Sequence, residues 1–83
     1  MITYYVVQSF HASKRGALVA DLPVLVGSAE EASARAQRLS ETRAGVVAFS
    51  RTGDDTTGEY ADAVIIATYG RMPVEADPLS DVA

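Results

Sequence analysis

The sequence predicts an α+β fold: a four-stranded mixed sheet in the order ββαββ, with one helix packed on one face. Ser28 to Arg43 is the only stretch that reads cleanly as a helix, and blocks rich in β-branched and aromatic residues lie on both sides of it. Those blocks carry apolar side chains at both odd and even positions, so the sheet they build is apolar on both faces. A single helix covers one face only. The mismatch points to self-association.

Ile2 to Phe10 forms the first expected strand, because bulk at Cβ suits a pleated surface better than a helix. Alternation places Ile2, Tyr4, Val6, Gln8 and Phe10 on one face and Thr3, Tyr5, Val7 and Ser9 on the other, which suits an inner strand covered on both sides. His11 to Gly16 breaks the pattern with small and charged residues, and Gly16 supplies the positive φ of a hairpin turn. The second strand runs from Ala17 to about Leu22, where Pro23 removes a ladder donor and marks an edge or an end. Val24 to Gly27 reads as an apolar crossover against the helix start.

Ser28-Ala29-Glu30-Glu31 is a capping box, in which the Ser28 hydroxyl accepts from the Glu31 amide and the Glu31 carboxylate returns to the Ser28 amide. Ala29, Ala32, Ala36, Leu39 and the stem of Arg43 then share one stripe, with Glu31 and Arg35 as an i,i+4 pair on the other side. Gly45 is the expected stop. Val46 to Arg51 is the third strand, Tyr60 to Tyr69 contains the fourth, and Thr52 to Glu59 between them is dense in turn formers. A right-handed crossover is expected to join strands two and three in parallel, with strand one inside the sheet.

With 83 residues the chain is expected to form one α+β domain over residues 1–72, followed by a flexible acidic C-terminal tail over 73–83 that carries Glu75, Asp77 and Asp81. A domain this short is marginal alone, and the sequence contains no cysteine to staple it and only one histidine, so neither a thiolate metal site nor any cofactor is implied. The net charge of −4, without a run of three basic residues, argues against a duplex-binding surface. The opening residues lack a basic start followed by an apolar stretch, and nothing approaches the ~18 apolar residues of a membrane span. The expectation is a cytoplasmic protein without a membrane partner.

No nucleophile motif, second histidine or phosphate-cradling glycine pattern occurs, so the residues give no positive sign of an enzyme. The candidate ligand-binding residues are His11, Lys14 and Arg15, where a turn presents amides beside cations that suit a small anion, and Tyr5 and Tyr69 as aromatic walls. His11 also suits a general base oriented by Asp21 or Asp62. Asp54, Asp55 and Glu59 offer carboxylates in one loop but miss the ligand spacing of a calcium loop. The candidate interface residues are Tyr4, Tyr5, Val7, Ile65 and Tyr69.

His11-Ala12-Ser13-Lys14-Arg15-Gly16, Leu18-Val19-Ala20-Asp21 and Gly45 to Asp54 are similar to segments of a family of small uncharacterised alphaproteobacterial proteins. That resemblance spans most of residues 3–72, implies a bacterial cytoplasmic protein and carries no catalytic residues with it. The leading expectation is a non-enzymatic homodimeric interaction or accessory protein. The alternatives are a subunit that binds a small anionic ligand, or acts on one, at the first hairpin or a dimer cleft, and a weak nucleic-acid binder using Lys14, Arg15, Arg51 and Arg71.

Overall fold

A computed structural model describes residues 1–72 of the chain, so the expected tail lies outside the described residues. Six strands and one helix follow one another as β1 (Ile2–Ala12), β2 (Leu18–Ala20), β3 (Val24–Val26), α1 (Ala29–Leu39), β4 (Gly45–Asp54), β5 (Glu59–Tyr60) and β6 (Val64–Gly70). They make one six-stranded antiparallel sheet, curled into a half-barrel, rather than the expected four-stranded mixed sheet in ββαββ order. The parallel neighbours are missing because β1 lies between the strands that the helix connects. β1 pairs antiparallel with β3 along one edge and with β4 along the other, so the crossover through α1 passes over β1 before it reaches β4.

The added strands arise from bulges. Along one edge of β1, Val7 faces Val24 and Phe10 faces Ala20, so Asp21, Leu22 and Pro23 stand opposite only Gln8 and Ser9. Along the far edge of β4, Ser50 faces Val64 and Gly53 faces Tyr60, so Ala61, Asp62 and Ala63 stand opposite only Arg51 and Thr52. A further register shift beside Ala48 and Phe49 leaves Ile66 without a ladder partner. An extra residue on one strand bends it and increases its twist. With such breaks in both outer strands, the sheet curls.

The helix covers the face that carries Tyr5, Val7, Val46, Ala48, Ala67 and Tyr69, and Ala32 and Ala36 are wholly buried against it. Small side chains at those two positions let the helix axis approach the sheet closely, with Leu39 and Val26 closing the margins. Ala29, expected on the same stripe, is exposed. The helix is shorter than expected: Ser40 is the C-cap, and a turn through Thr42 and Arg43 follows it. At the other end the Ser28 hydroxyl accepts from the Glu31 amide at 3.1 Å, as the capping box requires. The Glu31 carboxylate, however, accepts from the amide of Gly27, one residue earlier than expected, and pairs with that amide rather than with Arg35.

Gly45 does not stop the helix but opens β4, and it is a glycine for a different reason. A Cβ there would collide with the main-chain carbonyl of Arg71. Gly45 lies opposite Phe10, so the Arg71 carbonyl stands against the sheet on the face away from the helix, at the end where Phe10 and Val47 are buried. Gly16 has the positive φ expected of the hairpin turn, at 83°.

Candidate functional site

Register divides the open face of the sheet from the helix-covered one. Tyr4 faces Arg51, Val6 faces both Phe49 and Leu25, Phe49 faces Ile65, and Tyr60 lies opposite Gly53. Directly paired residues project to the same side, so Tyr4, Val6, Leu25, Phe49, Arg51, Tyr60 and Ile65 share the surface that no helix covers. Leu25 is 65% exposed, and Val6, Phe49 and Ile65 are half-buried.

A groove of about 500 Å³ opens on that surface between Tyr4, Val6, Leu25, Arg51, Gly58 and Tyr60. The rings of Tyr4 and Tyr60 lie 6.3 Å apart and are inclined at 33°. Their hydroxyls converge on one carboxylate: Tyr4 donates to Oδ2 of Asp55 at 2.7 Å, and Tyr60 donates to Oδ1. Donation to Asp55 and the negative charge beside it raise the pKa of the Tyr4 phenol above its ordinary value. The guanidinium of Arg51 stands 5.8 Å from the Tyr60 ring centre, in cation–π range, and donates to the carbonyl of Ala61 at 3.3 Å. Asp55 is presented by the turn after β4, where Asp54 accepts from both the amide and the hydroxyl of Thr56. Those two hydrogen bonds lower the Asp54 pKa.

A second polar cluster lies at the first bulge. Asp21 accepts from the buried Ser9 hydroxyl at 2.8 Å, stands 2.8 Å from His11 Nδ1 and 3.3 Å from Arg43 Nε. The Ser9 and His11 hydrogen bonds, helped by the charges of His11 and Arg43, hold its carboxyl below the usual range. Asp21 thus takes the orienting position beside His11 that the sequence offered to either Asp21 or Asp62. The His11 ring is half-exposed.

The remaining sequence-derived candidates are scattered. Lys14 and Arg15 sit exposed in the turn after β1, where the amides of Arg15 and Ala17 are directed at the Ser13 hydroxyl. Tyr5 and Tyr69 lie beneath the helix, away from that turn, and do not form a wall with it. Val7 is 1% exposed in the same layer, so of the interface candidates only Tyr4 and Ile65 lie on the open face. Arg71 reaches Gly16 and so joins Lys14 and Arg15 at one end of the sheet, whereas Arg51 is six residues along β4 from Gly45, roughly 20 Å away.

Sequence reasoning missed Asp55 and Tyr60 as partners of Tyr4, and Leu25 as an exposed apolar group. One signal was present: Arg51 continues the alternation of Val47 and Phe49, placing a lone cation on an otherwise apolar face. Among the described residues, no helix is long and apolar enough to cross a membrane. No known family, curated protein or solved structure matches the chain, so the geometry alone carries the functional reading.

Proposed function

We propose that this chain is a non-enzymatic binding module that pairs with a second copy of itself through the open face of its half-barrel. One observation carries the reading: the uncovered face presents Leu25, 65% exposed, beside half-buried Val6, Phe49 and Ile65. A patch on one side of a molecule closes upon itself by twofold symmetry, and two curled sheets meeting face to face give each copy the second layer that its own helix does not provide.

The size of the face sets the class of the interface. Four strand positions about 4.8 Å apart and some seven residues long, at ~3.3 Å per residue, span roughly 450 Å² per copy. A standard stable interface buries about 800 Å² per partner. The pairing therefore belongs to the small, transient class of interfaces, in which area alone does not set the affinity. A bacterial cytoplasmic setting belongs to the same proposal, and its support is the sequence resemblance alone.

Sedimentation equilibrium from 5 to 500 μM tests the reading. A concentration-dependent shift from monomer to dimer is expected, with Leu25→Glu remaining monomeric and folded by circular dichroism. A chain that stays monomeric at every concentration removes the proposal.

A further inference from the structure

The groove on the open face has one charged side chain in its lining, Arg51, set among Tyr4, Val6, Leu25, Gly58 and Tyr60. The other side-chain donors there are already committed. The Tyr4 and Tyr60 hydroxyls both donate to Asp55, which lies outside the lining, and the Gly58 amide donates to the Asp54 carbonyl at 2.8 Å. Arg51 differs. A guanidinium carries five N–H donors in a planar fork, and among the described residues that of Arg51 uses one, on the Ala61 carbonyl at 3.3 Å, and has no carboxylate within ion-pair distance. The Tyr60 ring, 5.8 Å from it, steadies the fork in cation–π range.

We propose that this groove binds a small monocarboxylate with an apolar aryl or aliphatic body. The Arg51 fork takes the carboxylate as a bidentate pair, and the body lies along Val6, Leu25 and the Tyr4 ring. Charge complementarity names the ligand: the lining is positive at one point and hydrocarbon over most of the rest, so one anionic group and one apolar body satisfy it. An amine meets like charge at Arg51. A second anionic group finds no uncommitted side-chain donor and meets the Asp55 carboxylate beyond the phenols.

Register sets the reach of the site. Tyr4 pairs with Arg51 and Val6 with Leu25, so Arg51 and Leu25 are two inter-strand steps and two residues apart, roughly 12 Å between their Cα positions. An aryl propionate hydrogen-bonded through its carboxylate covers roughly 10 Å. The groove's volume of about 500 Å³ falls within the usual range for small-ligand sites.

Titration calorimetry of the full chain with phenylpropionate, its neutral amide and propionate is the test, with amide NMR shifts mapping the site and sedimentation following the oligomeric state in the same samples. Phenylpropionate is expected to bind at least tenfold more tightly than either control, to move the amides of Val6, Leu25, Arg51 and Gly58 most, and to be weakened at least tenfold by Arg51→Gln. Equal binding of the amide or of propionate, no heat from phenylpropionate at 10 mM, shifts centred on Lys14 and Arg15, or unchanged binding by Arg51→Gln overturns the inference. If Arg51→Gln unfolds, the shift map of the unaltered chain and the two control ligands decide it. The site shares its face with the proposed dimer, and the two readings fail separately. A monomer that binds phenylpropionate with this selectivity upholds the site and removes only the dimer, and a dimer that ignores phenylpropionate does the reverse.

Discussion

The Asp21 carboxylate lies 2.8 Å from His11 Nδ1 across the first bulge of the sheet, and its other oxygen meets Ser9 and Arg43. Folding lowers its pKa from the ordinary 3.8, chiefly through the Ser9 and His11 hydrogen bonds. A depressed carboxyl contributes stability that is complete above the unfolded value and is lost as the pH falls through the lower folded value. Between pH 5 and pH 2.5 the melting temperature of the native chain should therefore fall further than that of Asp21→Asn, so that the two curves converge in acid. Parallel curves would show that the carboxylate makes no net contribution.

Gly45→Ala places a Cβ against the main-chain carbonyl of Arg71, an atom that no rotamer change can move aside. Overpacking of this kind costs about 1–3 kcal/mol. Urea unfolding should show the free energy of unfolding reduced by that amount, seen as a lower midpoint with an unchanged slope. Loosened protection of the Arg71 amide, which donates to Ala44 at 2.9 Å, should accompany it in hydrogen exchange.

Ala36 is fully buried between the helix and the sheet, so Ala36→Leu must push the helix outward. A loss of about 2 kcal/mol is expected from the added volume. The exposed Ala34 provides the control: Ala34→Leu should change stability by less than about 0.5 kcal/mol. Equal effects at the two positions would mean that α1 does not pack through Ala36.

Ser28→Ala removes the acceptor for the Glu31 amide and should cost about 1 kcal/mol in chemical denaturation. Glu31→Gln keeps an oxygen for the Gly27 amide and should cost less than half as much. A larger loss for Glu31→Gln would show that the carboxylate's charge at the helix start outweighs its hydrogen bond.

Local chemistry was legible in the sequence wherever neighbouring residues decide the outcome. The alternation from Ile2 to Phe10 matches the two faces of β1, and Ser28 caps the helix as its spacing required. Long-range pairing decided the rest. Val24 to Val26 reads as a crossover until the length of β1 offers it a partner, and Tyr60 to Tyr69 reads as one strand until β4 imposes a register that its outer partner cannot follow. Gly45 looked like a helix stop because its actual constraint, Arg71, comes from a strand that ends 25 residues later in the chain. The convergence of Tyr4 and Tyr60 on Asp55 depends on the same folding back, and nothing near Tyr4 in sequence announces it.

The interruptions at Asp21–Pro23 and Ala61–Ala63 fall in both rim strands, so neither border offers a straight row of amides and carbonyls for another chain to extend. Runaway growth by strand addition, the route to fibrils, is thereby blunted on the left and the right alike.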